Sequence, residues 1–276
     1  MATNQMRREA AKRKLERRQQ RHVEQTKRRQ RVAVITSVAV VVVVVVGVVL
    51  LSTLGGGDHT TDTAALPPAD SAVDPATIPT EITPLPVRST PLPNPTSCEY
   101  VPGGQAAKPA QPPNGTGVSS EGTVAVNLAT SAGAIPLTLD RALAPCTVNS
   151  FVSLVQQGYY DGTSCHRLTT DPGLQVLQCG DPTGTGTGGP GYTIPDEVFP
   201  ELTYGRGLLA MAKTPAPDSG GSQFFMVYGD AELPPEYTVF GSIAPEGLEV
   251  IDTIAQAGST PPGDGAPVQP LTIETA

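Results

Sequence analysis

From Val32 to Leu54 the chain runs for 23 residues without a charge, interrupted only by Thr36, Ser37, Ser52 and Thr53 as polar side chains. At about 1.5 Å per helical residue such a run covers about 34 Å, enough to cross a hydrocarbon core of about 30 Å. Its many valines are mediocre helix formers in water, but lipid leaves the backbone no partner except itself. A secretory signal would carry an apolar stretch of about 7–15 residues before a small-residue cleavage site, and no convincing site follows here. The pattern predicts a single transmembrane helix over 32–54.

The next change of texture is at Gly55. Residues 55–117 contain 13 Pro, many Thr, Ala and Gly, and few apolar groups to offset the entropy of ordering. They predict a disordered Pro/Thr-rich linker, partly polyproline II, whose extended reach is on the order of 195 Å at about 3.1 Å per residue.

Periodic patterning starts at Val118. Thr123 to Leu128 alternates as a strand does, Gly133 supplies a turn, and Ile135 to Leu139 alternates again. Val148, Phe151, Leu154 and Val155 then recur at helical spacing between a cap at Thr147 and a stop at Gly158. A second helix follows Pro245, with Leu248, Ile251, Ile254 and Ala255 on one face and Gly258 as its stop. Strands and glycine turns fill the interval. Residues 118–276 therefore predict one mainly β domain of 159 residues, with two helices closing a barrel or a sandwich.

The densest unit is Gly220 to Gly241. Three of the five Phe of the chain lie in these 22 residues, two of them adjacent. Successive strand residues face opposite ways, so Phe224 and Phe225 cannot share a face. One belongs in the core, and the other, beside Gln223, reads as the wall of a binding pocket.

Charge divides the chain differently. Residues 1–31 hold 12 of the 18 Lys and Arg against three Glu, a net of +9, whereas the other 245 residues carry 6 basic and 23 acidic groups, a net of -17. A basic flank before a membrane span, with no further cation until Arg88, places the N-terminus in the cytoplasm and the domain outside it. That topological role accounts for the basic run without nucleic acid. In an oxidising compartment the four cysteines, Cys98, Cys146, Cys165 and Cys179, point to disulfides rather than metal ligands. Three connectivities are open; pairing of Cys165 with Cys179 across a hairpin would leave Cys98 to clip the linker to Cys146.

Most chemistries lack their parts. Asp218-Ser219-Gly220-Gly221 is like a serine-protease nucleophile stretch, but His166 is the one histidine of the domain and has no protease-like flanks. Gly184 to Gly191 has neither the Lys-Ser/Thr ending nor the following helix of a phosphate loop, and reads as a flexible connection. No spacing suggests a metal, a nucleotide or another cofactor. What is left is an apolar pocket with an arginine and a glutamine.

Those residues resemble a known family. Cys165-His166-Arg167, Val176-Leu177-Gln178-Cys179-Gly180-Asp181, Gly188-Gly189-Pro190-Gly191-Tyr192 leading to Asp196-Glu197, Met211-Ala212, Gly221-Ser222-Gln223-Phe224-Phe225 and Val239-Phe240-Gly241 stand in the order of the cyclophilins, which are peptidyl-prolyl cis-trans isomerases. The likeness spans about residues 120–276 and looks most like the membrane-anchored cyclophilins of actinobacteria. It implies an eight-stranded antiparallel β-barrel capped by two α-helices. It further implies Arg167, Gln223 and Phe225 as catalytic residues, with Val176, Gln178, Ala212, Leu233 and Tyr237 binding substrate. Phe225 becomes the pocket aromatic and Phe224 the core one. Departures are Gln175, where the family has a pocket phenylalanine, Lys213 and Thr214 after Ala212, and short insertions between Arg167 and Asp181 and between Met211 and Ser222. Glu232 stands where tight cyclosporin binders carry tryptophan, which weakens that ligand's claim.

The residue types suit the reaction. Rotation about X-Pro is slow because the amide is conjugated. In the twisted state the proline nitrogen offers a lone pair, which a guanidinium binds better than the planar ground state. The substrates so implied are X-Pro segments of secreted or cell-wall proteins. The rival reading is a proline-recognising binding module or chaperone with little turnover, suggested by Gln175.

Overall fold

Along Thr123–Thr130 (β2) and Gly133–Asp140 (β3) every second side chain turns inward, so that Val126 and Leu128 stand opposite Leu137 and Ile135 in register and all four are buried. The computed structural model containing this hairpin describes residues 77–276. The basic segment 1–31, the expected span 32–54 and residues 55–76 of the expected linker lie outside the described residues. Among the described residues no helix is long and apolar enough to cross a membrane.

The remaining elements, in chain order, are β1 (Val101–Pro102) ahead of the hairpin, α1 (Pro145–Gln156), β4 (Thr163–Ser164), β5 (Arg167–Asp171), β6 (Leu174–Cys179) and β7 (Tyr192–Thr193). Then follow β8 (Leu208–Met211), β9 (Phe224–Ala231), β10 (Val239–Ile243), α2 (Pro245–Gln256), β11 (Ser259–Thr260), β12 (Asp264–Pro267) and β13 (Thr272–Thr275). Eleven strands make one antiparallel sheet, in the order β11-β12-β5-β6-β9-β8-β10-β3-β2-β13-β4. The sheet is curled. β4 pairs with β13 at one margin, while β5, two residues further along the chain, pairs with β6 and β12 near the other. Eleven segments stand where eight strands were expected because β4 and β5 are one bent stretch and β11 and β12 are short additions beyond β5.

Phe151 of α1 is the hub of the core. Its ring lies 4.9 Å from Tyr160, 5.2 Å from Phe240 and 5.3 Å from Phe224, all of them fully buried. The helix starts two residues earlier than the cap expected at Thr147, with Pro145 in the first turn, where its missing N–H costs nothing. Ala144 offers no side-chain cap, and the carboxylate of Glu197 arrives from across the fold instead. It accepts the N–H of Cys146 at 3.0 Å, the N–H of Thr147 at 2.8 Å and the Thr147 hydroxyl at 2.8 Å. These are donors that a helix start leaves open. Burial pushes the Glu197 carboxyl up, against the downward pull of these bonds. In α2, Leu248, Ile251, Ile254 and Ala255 are all buried, on the face that periodicity indicated.

Residues 77–117, expected within the linker, lie against the domain and share one compact unit with it. Backbone hydrogen bonds such as those between β1 and β7 hold them, together with side-chain anchors set far apart. Arg88 donates from Nε to the Leu143 carbonyl at 2.9 Å and from Nη2 to the Glu197 carbonyl at 2.7 Å, and stacks 4.3 Å over the Phe199 ring. Cys98 is bonded to Cys146, and Tyr100 donates to the Cys146 carbonyl at 3.0 Å. The second disulfide joins Cys165 to Cys179 across β5 and β6. Pro-rich composition conceals such an arm, because covalent and polar clips order it without the apolar bulk that patterning detects.

Candidate active site

The β5–β6 hairpin sets the site. Arg167 is in register with Gln178, and alternation along β6 sends Leu174, Val176 and Gln178 to one face while Gln175, Leu177 and Cys179 take the other. On the first face is a cavity of about 280 Å³. Arg167, Val176, Gln178, Ala212, Phe225, Leu233 and Tyr237 all line it, so the structure brings seven of the eight expected site residues together. Gln223, the eighth, stands just behind, bonded to Gln178.

The aromatic pair separates as alternation demands. Phe224 is fully buried with its ring edge-on to Phe151 and Tyr160, whereas Phe225 lines the cavity with Tyr237 edge-on at 5.8 Å. Tyr237 is fixed through its backbone: its N–H donates to the Tyr204 hydroxyl at 2.9 Å, and that hydroxyl donates to the Tyr237 carbonyl at 2.8 Å.

A chain of polar contacts runs along the cavity wall. Asp264 of β12 receives Nε and Nη2 of Arg167, each at 2.7 Å. Arg167 Nη1 reaches Gln178 Oε1 at 3.3 Å, Gln178 Nε2 donates to Gln223 Oε1 at 2.9 Å, and Gln223 Nε2 donates to the carbonyls of Gly186 and Gly188, each at 2.9 Å. A guanidinium has five N–H donors, so two are left for a ligand. The hydrogen bond from Arg167 holds the Asp264 carboxyl below its ordinary value.

The far end of that chain is the glycine-rich stretch expected as a flexible connection. It is organised around the buried Asp181, whose carboxylate accepts the Thr183 N–H at 2.7 Å, the Thr183 hydroxyl and the Gly186 N–H at 2.7 Å. Burial by itself would raise the Asp181 carboxyl; the hydrogen bonds from Thr183 and the loop amides outweigh it and hold the group low. His166 sits against this loop, and its two ring nitrogens are buried without a hydrogen-bond partner. Burial lowers its pKa, Asp181 opposes that, and Arg167 reinforces it. The imidazole therefore stands as a neutral packing group.

Three residues escaped sequence reasoning. Leu174 takes the pocket position for which Gln175 was noted: alternation along β6 puts it on the face of Val176 and Gln178, and Gln175 is buried on the opposite face, its Oε1 accepting the Asp230 N–H at 2.9 Å. Asp264 lies 97 residues from Arg167, and no local pattern marks it. Lys213 lines the cavity and donates to Asp196 at 2.6 Å. Ser219 bonds to the carbonyls of Thr214 and Ala216, and among the described residues no histidine is hydrogen-bonded to it. Among the described residues no group of three or more His, Cys, Asp or Glu could hold a metal ion.

A family model described as cyclophilin type peptidyl-prolyl cis-trans isomerase/CLD matches residues 125–276. The chain is 48% identical over 194 residues to the probable peptidyl-prolyl cis-trans isomerase B of Mycobacterium leprae, covering 65% of each chain. It is 49% identical over 192 residues to the protein of the same description in Mycobacterium tuberculosis, covering 64% of this chain and 62% of that one. It therefore spans a little under two thirds of either mycobacterial relative. A Helicobacter pylori peptidyl-prolyl cis-trans isomerase is 42% identical over 137 residues, 49% of this chain and 82% of that protein.

Proposed function

Because the chain belongs to the cyclophilin-type peptidyl-prolyl cis-trans isomerase family, we propose that it catalyses cis-trans isomerisation of X-Pro bonds and that Arg167 is the residue that does the chemistry. The observation that carries this reading is the placement of a guanidinium, fixed on one edge by Asp264 and with two N–H groups free, on the wall of an apolar cavity. Phe225, Val176, Leu174, Leu233 and Tyr237 hold the pyrrolidine ring by excluding water from it. Gln178 and Gln223 fix the edge of the guanidinium and present amide groups to the carbonyls on either side of the proline. When the amide twists, its nitrogen becomes pyramidal and gains a lone pair, and an N–H of Arg167 meets that lone pair. The planar ground state offers no such acceptor, so the interaction lowers the barrier rather than only the binding energy. No proton changes hands, which is why a neutral, unpartnered His166 is compatible with turnover. Ala212 leaves room for substrate backbone.

The clients are X-Pro segments of secreted or cell-wall proteins, and the enzyme is tethered by residues 32–54 with its N-terminus in the cytoplasm. The charge asymmetry and the apolar run support this topology, and two disulfides suit an oxidising compartment. Cyclosporin is a weak ligand at most, with Glu232 at the position of the tryptophan that favours it. The rival reading of a binding module rested on the absence of an aromatic at Gln175; Leu174 lines the pocket there with an apolar but not aromatic side chain, so turnover is what separates the two.

The deciding experiment is a protease-coupled isomerisation assay on the full chain in detergent, beside Arg167→Ala. Turnover should be present in the first and lost in the second. Equal rates would eliminate Arg167 as the active group, and peptide binding without any turnover would favour the binding module.

A further inference from the structure

Beside the proline pocket lies a larger cavity of about 590 Å³, which shares Gln178, Ala212 and Lys213 with it. Two of its sides come from the domain: the glycine stretch 186–191, and Ser219 to Gln223. A third side comes from the arm, through Gly103, Gly104 and Gln105.

These arm residues are pinned at both ends. On the N-terminal side β1 pairs with β7, the Gly103 N–H donates to the Gly191 carbonyl at 3.0 Å, and Tyr100 stands edge-on to Tyr192 at 5.8 Å. The Cys98–Cys146 disulfide closes that end covalently. On the C-terminal side the Ala107 N–H donates to the Gly189 carbonyl at 2.9 Å, and Lys108 Nζ donates to the carbonyls of Gly158 at 2.6 Å and Asp161 at 2.9 Å. A stretch fixed at both ends keeps its place as a wall. Gln105 is exposed, and among the described residues its side chain has no hydrogen-bond partner. Its amide, with two donors and an acceptor, is an uncommitted polar group on the arm side of the cavity.

We propose that Gln105 is a specificity-determining residue: the larger cavity takes the side chain of a residue flanking the client proline, and the arm discriminates among such side chains through Gln105. The proposal rests on the reading of the smaller cavity as the proline pocket. A peptide leaving that pocket past Gln178 and Lys213 enters the larger cavity directly, because both residues line both spaces. The preferred partner of a neutral amide is a polar, hydrogen-bonding side chain.

The test uses the full chain and two sets of X-Pro peptides, in which a residue before or after the X-Pro bond is Lys, Glu or Ala. Wild type, Gln105→Glu and Gln105→Lys are compared by kcat/KM. In one of the sets Gln105→Glu should raise the Lys-over-Glu preference by about threefold or more, Gln105→Lys should lower it by a similar factor, and the Ala peptide should stay within about twofold. A preference unmoved in both sets overturns the proposal. If wild type binds the peptides without turnover, the isomerase reading fails separately. The Lys-over-Glu preference is then read from Kd values: shifts of the same sign and size support Gln105 as the discriminating residue, and an unmoved preference overturns it.

Discussion

Asp264 grips Arg167 by two parallel hydrogen bonds, Nε to Oδ1 and Nη2 to Oδ2, each 2.7 Å long. The pair is 38% and 53% exposed, so it adds little to stability. Its consequence is orientation, since a guanidinium held on one edge can turn only its other edge to the pocket. Asp264→Asn should therefore lower kcat/KM by about three- to thirtyfold, while Arg167→Ala should cost about a hundredfold or more, as loss of a transition-state donor does. Thermal melts of the Asp264 variant should match wild type within a few degrees. A large drop in Tm would assign Asp264 a structural role instead.

The face assigned to Gln175 gives a second test. Its side chain is buried away from the pocket and bonds the Asp230 N–H. Gln175→Phe should lower stability by about 1–3 kcal/mol through overpacking and the orphaned amide, without raising activity. Leu174→Ala should instead raise KM for X-Pro peptides. Improved turnover in Gln175→Phe would show the face assignment to be mistaken.

Asp181 holds the loop whose carbonyls hold Gln223. Removing a buried carboxylate that satisfies several donors leaves those donors empty, so Asp181→Ala should destabilise by about 2–4 kcal/mol in urea titrations. Activity in conditions where the variant is still folded should fall as well, because Gln178 loses its support. Its lowered pKa has a definite sign: the stability it confers is present above the ordinary carboxylate pKa of 3.8 and is lost as pH falls through the lower folded value.

His166 governs a milder pH range. Burial depresses its pKa below 6.5, so the unfolded chain takes up a proton before the folded one does. Stability should be fully present above pH 6.5 and decline as the pH falls towards the folded value. His166→Phe, which fills a similar space without two unpartnered nitrogens, should flatten that slope between about pH 6.5 and 5. A slope unchanged in the variant would assign the dependence to the carboxylates.

The arm makes a covalent prediction. Cys98 and Cys146 are 48 residues apart, for which the entropy of closing such a loop gives about 4 kcal/mol of stabilisation. Cys98→Ser should lower the unfolding midpoint and expose residues 77–117 to limited proteolysis. Undiminished protection of that segment would mean that Arg88, Tyr100 and Lys108 suffice to hold it.

Local order was legible along the chain because it depends on neighbours. Alternation in β2 and β3, the apolar face of α2 and the opposed faces of Phe224 and Phe225 follow from the period of two or of about 3.6 residues. The ordered motifs around Arg167, Gln178 and Gln223 likewise identified the family and seven of the nine residues that line the pocket. What tertiary structure decided is what depends on residues distant in sequence. The partner of Arg167 is 97 residues away, the cap of α1 is a glutamate about 50 residues beyond it, and the wall of the larger cavity belongs to a Pro-rich arm. Leu174, by contrast, was within reach of the sequence, since alternation along β6 puts it on the face of Val176 and Gln178 and puts Gln175 on the other. Periodicity reports which way a side chain faces within its own element; what it faces is settled only when the sheet curls and the arm is clipped down.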